Sequence, residues 1–113
     1  MIKIYHNPRC KKSRAGLEYL KSKGVEFEVV EYLKNPPAVD ELKDLMMRLN
    51  VRPGEMVRTQ EEIYRKQLKG KQFTDDEWLK ILSENPRLLK RPVVVNGFKA
   101  VWADPPGQMD KIL

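Results

Sequence analysis

Ile2-Lys3-Ile4-Tyr5-His6-Asn7-Pro8-Arg9-Cys10-Lys11-Lys12-Ser13-Arg14 joins an alternating, β-branched run to the start of a helix, with the chain's one cysteine at the junction. The alternation of Ile2 and Ile4 predicts a strand with one buried face. Beyond Cys10, Leu17, Tyr19 and Leu20 followed by Lys23-Gly24 predict an amphipathic helix closed by a C-cap glycine. Phe27-Glu28-Val29-Val30-Glu31-Tyr32-Leu33 alternates again and stops at Asn35-Pro36-Pro37, which makes it a second strand. Two strands separated by a crossover helix lie parallel in one sheet.

A thiol at a strand-to-helix turn meets unpaired backbone N–H groups and the positive end of the helix dipole. An ordinary thiol, with a pKa of about 8.5, is only about 3% thiolate at neutral pH, whereas thiols at helix N-termini beside cations fall to roughly 3.5–7.5. Reaching about 6.5 requires roughly 2.7 kcal/mol of preference for the thiolate. The dipole supplies about 0.3–1 kcal/mol, so neighbouring cations have to provide the rest. Arg9, Lys11, Lys12 and Arg14 lie within four positions, and His6 is close behind. The bland alternative, a small side chain that only packs, is at odds with such basic and polar flanks. Cys10 is therefore read as a nucleophile.

The rest of the chain extends the sheet. Val39, Leu42, Leu45, Met46 and Leu49 recur at helical spacing up to a stop at Arg52-Pro53-Gly54, with Met46 and Met47 read as core fillers. Glu55 to Tyr64 carries a weaker pattern of short helix or turn. Thr74-Asp75-Asp76-Glu77 forms a capping box ahead of Trp78, Leu79, Ile81 and Leu82, with Trp78 as a core anchor and a stop at Asn85-Pro86. Pro92-Val93-Val94-Val95 and Phe98-Lys99-Ala100-Val101-Trp102 flank Asn96-Gly97, a hairpin signal, and Pro105-Pro106 can open a final helix through Leu113. The order is β-α-β, a helical segment, then β-β-α.

Composition narrows the function. A chain of 113 residues with 41% hydrophobic content suits one domain, 1–113. No apolar stretch has the length of a membrane span and no leader pattern precedes the first strand, so a cytoplasmic location without membrane association is expected. One cysteine and one histidine exclude an internal disulfide and a four-ligand zinc site of the usual kind, and no metal is expected. The net charge of +6, from 22 basic and 16 acidic side chains, suits small anions as well as nucleic acid. Lys66, Lys69 and Lys71 are the densest patch, but no nucleic-acid-binding motif accompanies them, so direct nucleic-acid binding is not expected.

Tyr5-His6-Asn7-Pro8-Arg9-Cys10-Lys11-Lys12-Ser13-Arg14 resembles the active-site segment of the arsenate reductase (ArsC) family, which includes Spx-type transcription regulators and other small thiol reductases. The likeness continues in family order through Tyr32-Leu33-Lys34-Asn35-Pro36-Pro37, Val57-Arg58-Thr59, Phe73-Thr74-Asp75-Asp76 and Leu88-Leu89-Lys90-Arg91-Pro92-Val93-Val94-Val95. It implies an α/β, thioredoxin-like fold with a helical insertion and a central mixed sheet. It also implies that Cys10 attacks an oxyanion held by Arg58 and Arg91, with Pro92 a cis-proline facing the cysteine. Ser13 and Arg14 either orient the anion or cap the first helix, with simple exposure the further alternative for Ser13; His6 and Asn7 are supporting residues, His6 either modulating the thiol's proton affinity or being a turn histidine with no catalytic part.

In that family a third arginine precedes a proline, and the matching position here is Asp104 in Ala103-Asp104-Pro105-Pro106. Aspartate offers acceptors where arginine offers a fork of donors, so one charge-assisted hydrogen bond worth roughly 1.5–3 kcal/mol is lost. Lys99 and Arg9 are the candidate replacements. Ser13 stands where dithiol relatives carry a second cysteine, so an external thiol must release any adduct on Cys10. The resemblance makes glutathione or a glutaredoxin that reductant, with no bound cofactor and a small oxyanion or glutathione-type thiol as partner. A glutathione-dependent reductase of another substrate and an Spx-like protein that binds RNA polymerase are the alternatives.

Overall fold

Ile4 and Tyr5 are buried while Lys3 between Ile2 and Ile4 is exposed, as the alternation of β1 (Ile2–Tyr5) requires. The structure, a computed structural model, describes residues Met1–Leu113. They fall into two compact units, one made of Met1–Asn35 with Arg91–Leu113 and the other of Pro36–Lys90.

In the first unit, α1 (Lys11–Ser22) carries the chain from β1 to β2 (Glu28–Val30), which pairs parallel with β1. The hairpin of β3 (Val93–Asn96) and β4 (Lys99–Trp102) joins through an antiparallel β1–β3 pairing, giving the order β2-β1-β3-β4. Ile4 faces Val29 on one side and Val94 on the other, and Val94 faces Val101. Ile4, Leu20, Val94, Ala103 and Met109 are the buried centre, with Leu17, Phe27, Val101 and Ile112 packed against it. Ile4, Leu20, Val94 and Met109, fully buried, contribute about 1.5–3 kcal/mol each.

Helix α1 buries Ser13, Gly16 and Leu20 on one face. Gly16 is required there: a Cβ would lie 2.5 Å from Pro92 Cγ, so only a glycine lets the helix pass that proline. At its far end, Tyr19 Oη donates to Asp110 at 2.7 Å and Lys23 pairs with the same carboxylate at 3.0 Å, tying α1 to the C-terminal segment.

Three local expectations change in this unit. The second strand stops at Val30 rather than Leu33, because the chain turns at Glu31, whose carbonyl accepts from Lys34 N–H at 3.1 Å and Asn35 N–H at 3.2 Å, while Tyr32 is fully buried. The hairpin turn is centred on Gly97-Phe98, since Asn96 is still paired with Lys99, and Gly97 adopts φ 62°. The C-terminal helix is a 3₁₀ segment, Pro106–Lys111, in which Ile112 N–H bonds Met109 O at 3.1 Å. Proline and glycine at its start disfavour a longer α-helix.

In the second unit, α2 (Val39–Leu49) buries Leu42, Leu45 and Met46, but Met47 points the other way and is 72% exposed, so only Met46 fills core. The helix ends at left-handed Asn50 (φ 58°), earlier than the expected stop, and Pro53–Met56 forms a separate 3₁₀ turn. The Glu55–Tyr64 region holds the end of that turn, and a wide helical turn, Tyr64–Leu68, follows. In α3 (Asp75–Glu84) the capping box is present: Glu77 N–H donates to Thr74 Oγ1 at 3.1 Å and Thr74 N–H to Glu77 Oε1 at 2.9 Å. Trp78 is half-buried rather than a core anchor, stacked edge-on to Phe73 at 4.8 Å.

Candidate active site

β1 ends at Tyr5, and His6 N–H still bonds Val30 O at 3.0 Å, so the sheet directs the chain into the loop that precedes α1. Asn7 organises that loop. Its carbonyl accepts from Cys10 N–H at 3.0 Å and its Oδ1 from Arg9 N–H at 3.0 Å. Cys10 is thereby placed at the N-cap of α1, in extended backbone (φ −94°, ψ 123°) and partly open to solvent.

Burial by itself pushes the Cys10 thiol up. The backbone N–H of Ser13, the Arg91 side chain and the backbone N–H of Lys12 act on the sulfur in the opposite direction, and the thiol is held below its ordinary value. No side-chain cap bond of ordinary length closes the helix at Cys10. A neutral thiol is a weak acceptor, and these donors act when the sulfur becomes a thiolate. Lys12 and Ser13 are the second and third residues of α1, the positions whose N–H groups an N-cap side chain serves.

Arg91 is 9% exposed and is joined to Pro92 by a cis peptide bond. Trp102 Nε1 donates to Arg91 O at 3.3 Å and Ala103 N–H to Pro92 O at 2.9 Å, so β4 fixes the segment that carries the guanidinium. A second cis bond, Asp104-Pro105, carries no signal in the sequence reading.

Ser13 is fully buried, and its hydroxyl is committed to the loop: Asn7 N–H donates to Ser13 Oγ at 2.9 Å, and His6 Nδ1 lies 2.7 Å from the same oxygen. Its contribution at the sulfur is its backbone N–H. His6 is buried, and burial pushes it below the usual histidine range, while the Glu31 charge and the Ser13 backbone work the other way. The direction of the hydrogen bond between His6 Nδ1 and the Ser13 hydroxyl follows the imidazole tautomer. Arg14 is exposed and donates from Nη1 to Pro8 O at 3.0 Å, bracing the loop.

Asp104 is paired with Lys12 at 3.0 Å. Of the two candidate replacements for the third arginine, Lys99 is at the Asn96 end of the hairpin, opposite in the sheet to the Tyr5–Val93–Trp102 end that leads to Cys10, and cannot serve. Arg9 is on the Cys10 loop and exposed. Arg58 belongs to the second unit, next to the Val57–Leu89 bridge, with its N–H on Leu88 O at 2.7 Å. Its guanidinium pairs with Glu61 at 3.4 Å, and its buried Nε has no hydrogen-bond partner. No group of three or more histidine, cysteine, aspartate or glutamate side chains is arranged to hold a metal ion, and no helix is long and apolar enough to cross a membrane.

Residues 5–112 match the ArsC family. The chain belongs to that family. A Neisseria meningitidis protein named arsenate reductase is 38% identical over 99% of this chain and 97% of its own length. The Escherichia coli strain K12 protein YfgD is 40% identical over 99% of this chain and 96% of its own. The structure of an arsenate reductase from Vibrio cholerae superposes with a TM-score of 0.93 at 38% identity, covering 99% of this chain and 97% of that one. The mixed sheet of this ArsC member, with its cysteine at the first helix N-terminus, is the expected thioredoxin-like α/β fold.

Proposed function

We propose that this ArsC-family chain is an arsenate-reductase-like thiol oxidoreductase with Cys10 as its single nucleophile. The observation that carries the reading is the environment of that sulfur: Ser13 N–H, the Arg91 side chain and Lys12 N–H together favour its thiolate. In the first step the thiolate forms an S–As bond to arsenate, and one arsenic oxygen leaves as water after protonation. Glutathione thiolate then attacks the Cys10 sulfur. The S–As bond breaks, its electron pair stays on arsenic, and As(V) becomes As(III). Arsenite departs, and Cys10 is left as a mixed disulfide that a glutaredoxin thiol reduces. With Ser13 at the position of a resolving thiol, the chain supplies one of the two electron-donating sulfurs and the external thiol the other.

Arg91 steadies the charge on the anion, and the family resemblance assigns Arg58 to the same task. The names carried by the Neisseria and Vibrio relatives support arsenate as the substrate. A second reading, reduction of a glutathione mixed disulfide, is favoured by the Asp104–Lys12 ion pair, which leaves less positive charge for an oxyanion.

The test is arsenate-dependent NADPH consumption coupled through glutathione, glutaredoxin and glutathione reductase, with Cys10→Ser as control and a glutathionylated peptide as parallel substrate. Arsenate turnover lost in the variant supports the first reading. Turnover of the peptide alone supports the second, and turnover of neither overturns both.

A further inference from the structure

Lys12 has two attachments at the candidate site. Its backbone N–H is one of the groups that favour the Cys10 thiolate, and its ammonium lies 3.0 Å from the Asp104 carboxylate. Asp104 follows Ala103, whose N–H is bonded to the carbonyl of Pro92, and Pro92 follows the arginine that acts on the sulfur. The ion pair therefore spans the two segments that hold Cys10. Its carboxylate is the more enclosed half, 23% exposed against 64% for the lysine.

An unpaired ammonium on the first turn of α1, two residues along the chain from Cys10, would attract anionic reactants and steady a negative leaving group. Paired with a carboxylate, it contributes a dipole and no net charge, and the carboxylate offers only acceptors to an incoming oxyanion.

We propose that Asp104 is a specificity-determining residue: by neutralising Lys12 it sets the preference of Cys10 among acceptor disulfides, toward those that carry little negative charge beside the attacked sulfur. This rests on the reading of Cys10 as the nucleophile. In the step concerned, the Cys10 thiolate bonds to one sulfur of the acceptor disulfide, the acceptor's S–S bond breaks, and its electron pair leaves on the second sulfur as a thiolate.

Two aromatic disulfides separate charge from reactivity. One is 5,5′-dithiobis(2-nitrobenzoate), which carries a carboxylate on each ring, and the other is 4,4′-dithiodipyridine, which is uncharged at neutral pH. The measured quantity is the ratio of their second-order rate constants, charged over uncharged. Asp104→Asn leaves a net cation at the site and raises the ratio about three- to tenfold, while Lys12→Met leaves a net anion and lowers it by a similar factor. Both changes shrink in about 1 M salt, where screening acts within roughly 3 Å.

Movement of the ratio in opposite directions is a signature that local distortion would not produce. If both variants shift it the same way, or neither shifts it twofold, the proposal is overturned. If the wild-type thiol titrates against the uncharged reagent like an ordinary cysteine, the reading of Cys10 itself is overturned, whatever the ratio shows.

Discussion

Replacing Arg91 with methionine removes a guanidinium that acts on the Cys10 sulfur both by hydrogen bonding and by its charge. A hydrogen bond to a charged partner is worth roughly 1.5–3 kcal/mol. Because Cys10 is partly open to water, the lower end applies. At about 1.36 kcal/mol per pKa unit, the thiol of Arg91→Met rises by about one unit. Below the titration range this cuts the thiolate population about tenfold. The more basic thiolate is intrinsically more reactive, with a Brønsted slope of about 0.4–0.5, which recovers roughly threefold. The net expectation is a fall of about three- to fourfold in the alkylation rate at pH values below the thiol's titration, together with a titration displaced upward. Iodoacetamide alkylation followed against pH, with thiolate absorbance as a second reading, measures both. An unchanged titration in a folded Arg91→Met protein would refute the argument that the guanidinium stabilises the thiolate.

Ser13→Ala deletes the acceptor of Asn7 N–H and the His6 partner while keeping the backbone N–H at the sulfur, so urea unfolding should show a loss of about 1–3 kcal/mol with little change in the Cys10 titration; a large upward titration shift would contradict this separation of roles. Gly16→Ala places a methyl 2.5 Å from Pro92 Cγ and should cost about 1–3 kcal/mol in the same assay, whereas a neutral result would show that α1 can draw away from the proline. The folded thiol is held low, so its contribution to stability is fully present above the unfolded value of about 8.5 and is lost as pH falls through the folded value. The stability of the wild type relative to Cys10→Ser should accordingly grow from acid toward pH 9, and a difference independent of pH would count against a depressed thiol.

The parts of the fold legible in the sequence were those whose cause is local. Alternation in Ile2–Tyr5, the Thr74–Glu77 capping box and the β-branched run ending at Asn96-Gly97 each specify an element from within a few residues. Misread details depended on tertiary context. β2 ends early where Tyr32 is drawn inward, and Met47 faces solvent while its neighbour Met46 is buried, a distinction that depends on which face of α2 is covered. At the candidate site, Cys10 at a helix start was readable because N-cap position follows from sequence order, and that order also places Lys12 and Ser13 in the first turn. The cis form of Arg91-Pro92 was reached through family resemblance. The Lys12–Asp104 ion pair had no local signature, since opposite charges far apart in sequence become partners only when β4 delivers Asp104 beside α1.

Cys10 occupies a helix N-cap without making a cap bond as a neutral thiol, so the first turn of α1 acquires its cap when the sulfur ionises. Alkylation or formation of a disulfide takes that charge away, and the amides of Lys12 and Ser13 return to the condition of helix-end groups without an acceptor. Their protection from hydrogen exchange, taken relative to the intrinsic rate at each pH, should therefore rise as the thiol ionises and fall once the sulfur is modified. Fraying at one helix end thus becomes a chemical record of whether the sulfur carries its charge, and it can be read without any substrate.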